Sequence, residues 1–143
     1  MRRQYEYLEH TADIKFRAYG KTMAKAFENA AYALTDSMVS HRKVKAIKAK
    51  KISVKSEDEK ALLYDFLEQF LILADSEGFL LSKIKKIRIE PLDGKGLSLT
   101  ADIAGDDRIE KYEIDTHIKA VTYEEMIIDE EKDRVMVQVI LDI

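Results

Sequence analysis

The hydrophobic period of this chain lengthens from two residues to about 3.6 in two places, and that limits what it can fold into. In the run Ile14 to Tyr19, Ile14, Phe16 and Ala18 alternate with polar residues, the pattern of a half-buried strand. Gly20 closes that run, and Thr22 is placed to cap a helix from Met23 to about Val39. Within it Ala26, Phe27, Ala30, Ala31, Leu34 and Met38 recur at three- and four-residue steps, which makes one buried stripe. The second helical stretch has the stronger pattern: Leu62, Leu63, Phe66, Leu67, Phe70, Leu71 and Ala74. Ser56-Glu57-Asp58-Glu59 reads as its capping box, and Gly78 as its stop.

The remaining segments have the period of strands. Ile52 and Val54 alternate with Lys51, Ser53 and Lys55. Ile84, Ile87 and Ile89 lead to the turn signal Pro91-Leu92-Asp93-Gly94, and Leu97, Leu99, Ala101 and Ile103 alternate on the return. Gly105-Asp106-Asp107 interrupts the pattern before Ile109, Tyr112 and Ile114, and His117 to Val121 reads as a further short strand. Met126 to Ile128 and Val135 to Leu141 flank the polar turn Asp129 to Arg134, a hairpin by pattern. With no linker or repeat, residues 1–143 predict a single α+β domain. Two amphipathic helices would pack on a mainly antiparallel sheet.

Composition removes several function classes. There is no cysteine, which excludes disulfides, thiolate metal sites and cysteine nucleophiles. No stretch approaches the roughly 20 apolar residues of a membrane span. The basic start Met1-Arg2-Arg3-Gln4 runs into Tyr-Glu-Tyr and not an apolar signal core, so a soluble, cytoplasmic protein without a membrane partner is expected. With 24 basic and 27 acidic residues the net charge is -3, which argues against whole-chain attraction to nucleic acid. The basic run Arg42 to Lys51 lacks interleaved aromatics and reads as a solvated face. The acid-rich stretch Glu124 to Asp133 lacks the glycine and spacing of an EF-hand loop.

Two polar words remain that could carry chemistry. The first is His10-Thr11-Ala12-Asp13, directly before the strand of Ile14, Phe16 and Ala18. If the chain ends fold together, Asp13 meets Asp142, which follows the apolar series Val137, Val139 and Leu141. Oxygen donors from Asp13, Asp142 and the carboxylate of Ile143 would suit a hard cation, magnesium or calcium. His10 alone makes a poor case for zinc. The commoner use of such residues is structural: Asp13 or Thr11 satisfying turn amides, His10 as a hydrogen-bonded histidine. The second word is Lys119-Ala120-Val121-Thr122-Tyr123. Lys119 suits a phosphate or an acid, though a solvated lysine is commoner; Thr122 suits a backbone hydrogen bond, and Tyr123 core or rim packing.

Together, His10-Thr11-Ala12-Asp13, the two helices, Lys119-Ala120-Val121-Thr122-Tyr123 and the terminal Asp142-Ile143 resemble the archease family, in the family's order from Tyr5 to Ile143. One departure is visible: many relatives carry histidine directly after the Thr-Tyr pair, where this chain has Glu124. The resemblance implies a cofactor protein of the RtcB-type RNA ligase, which joins tRNA halves through a GMP-linked histidine on the ligase. It implies that the protein promotes GTP-dependent guanylylation and multiple turnover, with no independent enzymatic activity of its own. The family's divalent-metal site, for calcium or magnesium, maps onto Asp13, Asp142 and Ile143. The activating cluster maps onto Asp13, Lys119 and Asp142, with His10 and Thr11 in support. The resemblance also suggests an alternative, a chaperone-like module acting on an RNA methyltransferase. It leaves direct RNA contact open.

Overall fold

The computed structural model describes residues 4–143; the basic start Met1-Arg2-Arg3 lies outside the described residues. Seven strands and two α-helices follow in the order β1 (Tyr5–Leu8), β2 (Asp13–Gly20), α1 (Met23–Met38), β3 (Lys48–Ser56), α2 (Glu59–Glu77), β4 (Leu80–Pro91), β5 (Leu97–Asp106), β6 (Ala120–Glu130) and β7 (Val135–Asp142). Every pairing is antiparallel. The fold class is the one expected, but the strands divide between two sheets, β1-β2-β7-β6 and β3-β5-β4. The chain enters the first sheet, crosses to the second at β3, and returns at β6. The two sheets are held together by the helices: α1 packs on β2 and β4, α2 on β6 and β3.

The helix signals operate largely as the residues dictate. Thr22 caps α1 through Oγ1, which accepts the Lys25 amide at 3.1 Å. Gly78 ends α2 in the left-handed conformation at φ 62°, which costs a residue without Cβ little. The α2 cap is a correction. Asp58 accepts the Ala61 amide at 2.8 Å, while Ser56 belongs to β3 and donates its hydroxyl to Asp65 at 2.6 Å. Phe16, Ala18, Phe27, Leu34, Phe66, Leu67, Val137, Val139 and Leu141 are wholly buried. The Phe27 and Phe66 rings stack across the helix pair at 6.3 Å. The expected strand at His117 to Val121 begins later, at Ala120. No helix among the described residues is long and apolar enough to cross a membrane.

A polar knot ties α1 to the sheet edge. Asp36 accepts hydrogen bonds from the Tyr5 hydroxyl and, at 2.8 Å, from the His41 amide, and its carboxylate lies 2.7 Å from His41 Nδ1. Burial pushes the Asp36 carboxyl up, but the His41 and Tyr5 hydrogen bonds outweigh it and leave its pKa below the ordinary carboxylate value. A depressed folded pKa means stability that is complete above the unfolded pKa of about 3.9 and is lost as pH falls through the folded value. Urea unfolding between pH 5 and 2.5 is therefore expected to show a shallower acid loss in Asp36→Asn than in the wild type.

Candidate functional site: carboxylates at a strand end

The pairing of β2 with β7 decides which residues meet. Its register sets Asp13 opposite Asp142, Lys15 opposite Ile140 and Arg17 opposite Gln138. Because directly opposed residues point to the same face, Asp13 and Asp142 emerge side by side. That face lies away from the helices, since Phe16, Ala18, Val137 and Val139 occupy the other one and are fully buried. β6 adds Ala120 opposite Asp142 on the other flank, and the Lys119 amide donates to the Asp142 carbonyl at 2.7 Å. Lys119, Asp142 and Ile143 are exposed, and the Asp13 side chain is 24% exposed. Thr11 is exposed in the turn between β1 and β2, where Ala12 takes a positive φ of 64°. The site is an open edge and not a closed pocket.

Like charges directly opposite one another destabilise a strand pair by about 0.2–1 kcal/mol. Two carboxylates held in register at an exposed strand end are thus a cost that a divalent cation would remove. Their oxygens are hard donors, as calcium and magnesium require, so the residues fit such an ion.

His10 reaches this edge from the β1–β2 turn. Its Nδ1 lies 3.6 Å from Asp13 Oδ2 and its Nε2 3.5 Å from Glu125 Oε2. Nδ1 is itself buried and makes no hydrogen bond. Among the described residues, the three side chains whose His and carboxylate ligand atoms gather within 4.8 Å of one another are His10, Glu124 and Glu125. A cation already serves that group: Lys15 Nζ sits 3.0 Å from Glu125 Oε1. Its hydrogen bond and charge hold the Glu125 carboxyl below the ordinary range, with His10 adding to the effect.

Glu124 and Glu125 are brought there by an irregular strand. β6 spends five positions, Thr122 to Ile127, where β7 spends two, Ile140 to Gln138. The extra residues bulge over the outer face of the sheet, with Glu125 at φ 51°. Gln138, 2% exposed, pins the bulge: Nε2 donates to the Glu125 carbonyl at 2.7 Å and Oε1 accepts from Arg17 Nε at 2.9 Å. Thr122 behaves as read, its hydroxyl donating to the Ile140 carbonyl at 2.8 Å. Tyr123 packs at the rim: it is 53% exposed, and its ring lies parallel to that of Tyr64 on α2 at 4.5 Å. Replacing Gln138 by leucine strands the Glu125 carbonyl and the Arg17 guanidinium. We expect Gln138→Leu to cost about 2 kcal/mol in urea unfolding and to shift the amide NMR signals of Glu124 and Glu125.

Glu125 and Gln138 carry no motif and are not singled out by the sequence pattern. One signal does mark the bulge. Val121 and Met126 are both buried, yet they stand an odd number of residues apart, which a regular strand cannot place on one face.

Fold and edge together define a two-helix, two-sheet α+β protein that presents an open carboxylate pair on a strand end. The model of the Archease protein family (MTH1598/TM1083) matches residues 5–143. Protein archease of Thermococcus kodakarensis is 41% identical over 143 residues, with 99% of each chain covered. Protein archease of Methanosarcina barkeri is 39% identical over 146 residues, covering 99% of this chain and 97% of its own. The solution structure of Methanobacterium thermoautotrophicum protein 1598 superposes with a TM-score of 0.83 at 35% identity, over 98% of this chain and 99% of that one. A Thermotoga maritima crystal structure, described as an archease and possible chaperone, shares the fold at a TM-score of 0.60 and 23% identity, over 100% of this chain and 98% of that one. This chain belongs to the archease family.

Proposed function

We propose that the protein is an accessory factor of an RtcB-type RNA ligase that promotes GTP-dependent guanylylation of the ligase and multiple turnover in tRNA splicing. The observation that carries this reading is the register of Asp13 with Asp142 on an exposed strand end, next to Lys119. Asp13, Asp142 and Ile143 would hold calcium or magnesium, and the bound ion would supply positive charge where phosphate charge accumulates during nucleotidyl transfer. The chain's own part is placement. The β2–β7 ladder fixes the two carboxylates, His10 and the Thr11 turn orient Asp13, and Lys119 offers an ammonium to a phosphate oxygen. The open edge suits a role on another protein's active site better than self-contained catalysis, because nothing here encloses a substrate.

The test is multiple-turnover RNA ligation with limiting RtcB-type ligase, GTP and divalent metal, with and without this protein. Addition is expected to raise the number of turnovers per ligase. No stimulation overturns the reading. It would favour the chaperone-like alternative, the role described as possible for the Thermotoga maritima protein. A methyltransferase partner would then change in solubility or specificity whether or not Asp13 and Asp142 are intact.

A further inference from the structure

We infer that His10, Glu124 and Glu125 form a second metal site, for a transition dication of the zinc class, beside the carboxylate pair and sharing no ligand with it. Their ligand atoms lie within 4.8 Å of one another. Nothing in the sequence pattern brings them together. β7 stands between β2 and β6, so a regular β6 would keep Glu124 and Glu125 about two strand spacings, roughly 9.6 Å, from β2. The bulge carries them across β7, and the buried Gln138 holds it there through the Glu125 carbonyl. The outcome is an imidazole from the β1–β2 turn facing two carboxylates.

The distances suit one small ion. His10 Nε2 and Glu125 Oε2 are 3.5 Å apart, and two bonds of about 2.1 Å spanning that gap meet at roughly 113°, close to a tetrahedral angle. Donors that share an ion through such bonds lie at most about 4.2 Å apart. The exposed Glu124 side chain reaches that range by a small rotation. Lys15 does not block the site, because it takes Glu125 Oε1 at 3.0 Å and leaves Oε2 toward the imidazole. Three protein ligands leave a fourth position open to solvent.

Two exposed glutamates alone would describe many surfaces. The second ring nitrogen of His10 makes this group specific. Nδ1 is buried without a hydrogen-bond partner, 3.6 Å from Asp13 Oδ2. An ion on Nε2 fixes the proton on Nδ1, the nitrogen nearer the Asp13 carboxylate, and a carboxylate is the outer partner that metal-bound histidines commonly have. A closure of roughly 0.5 Å completes that hydrogen bond. The donor set then selects the ion. An imidazole nitrogen with two carboxylates favours zinc and its first-row neighbours, whereas Asp13, Asp142 and Ile143 offer oxygen alone and suit calcium or magnesium.

The test uses the full chain and no ligase, so its outcome is separate from that of the ligase reading. Isothermal titration calorimetry with zinc chloride, in a large excess of magnesium, is expected to show one zinc bound per chain. Glu124→Gln, which alters an exposed side chain, and His10→Ala are each expected to weaken zinc binding by about tenfold or more. Asp142→Asn is expected to leave it unchanged. Long-range proton–nitrogen NMR reads the ligand directly: zinc is expected to shift Nε2 of His10 and leave Nδ1 protonated, with His41 and His117 unaffected. A cluster of ion pairs with no metal role predicts none of these. No zinc binding in excess magnesium, full affinity in Glu124→Gln or His10→Ala, loss of affinity in Asp142→Asn, or ligation through His117 would each overturn the proposal.

Discussion

Asp13→Asn and Asp142→Asn are each expected to weaken divalent-ion binding by about tenfold or more while leaving the fold as stable as before or slightly more so. The two effects have opposite signs for one reason. The carboxylates stand directly opposite each other in the β2–β7 register, so removing one charge relieves repulsion of about 0.2–1 kcal/mol. The same change removes an anionic oxygen donor from a site that has few. Loss of a group that merely orients a ligand already costs roughly 10–100-fold in metal affinity, so loss of a ligand costs at least as much. Thermal unfolding with and without calcium or magnesium reads both effects. The wild type is expected to gain about 2.7 kcal/mol when the ion is present at a hundred times its dissociation constant. At the same ion concentration a variant weakened tenfold should gain only about 1.4 kcal/mol, and one weakened a hundredfold about 0.4 kcal/mol. Stimulation of the ligase should fall in parallel with ion binding. Wild-type stability that ignores added ion would remove the metal from the proposed function.

Gly105→Ala is expected to cost about 3 kcal/mol or more, a large share of the roughly 5–15 kcal/mol that holds an ordinary domain folded. Gly105 lies in β5, and its carbonyl accepts the Ile47 amide at 2.9 Å. A Cβ placed there would sit 1.9 Å from the Leu80 carbonyl oxygen and 2.7 Å from Cζ of Phe79. Both neighbours are about 1% exposed, so neither can swing into solvent. The strands would have to separate, with loss of ladder hydrogen bonds in the second sheet and of packing around Phe79. Gly94 is the control. It takes φ 88° in the β4–β5 turn, and a Cβ there would meet nothing within 4 Å. Gly94→Ala is therefore expected to cost only about 1–2 kcal/mol of backbone strain. Equal losses for the two substitutions in urea unfolding would show that close approach at Gly105 is not what requires glycine.

The chain determined its local structure by periodicity and punctuation. Phe27, Ala30, Ala31 and Leu34 make a helix stripe whatever surrounds them, Thr22 and Gly78 bound helices through their own backbone chemistry, and the alternation of Ile14, Phe16 and Ala18 fixes the inward face of β2. That Asp13 and Asp142 share a face was legible once the ends were assumed to pair, because alternation counts outward from the buried residues. Tertiary structure decided the rest. The split into two sheets depends on where the chain crosses at β3 and returns at β6, which no local period encodes. Asp58 displaced Ser56 as a cap because β3 runs on through Ser56. Glu124 and Glu125, inside an acidic stretch set aside because it lacks the glycine and spacing of an EF-hand loop, reach His10 because Gln138 holds a bulge from the neighbouring strand. A hydrogen bond between residues distant in sequence leaves no mark on the pattern around either one. Short-range sterics and burial can be read along the chain, whereas pairing across it exists only once the strands have met.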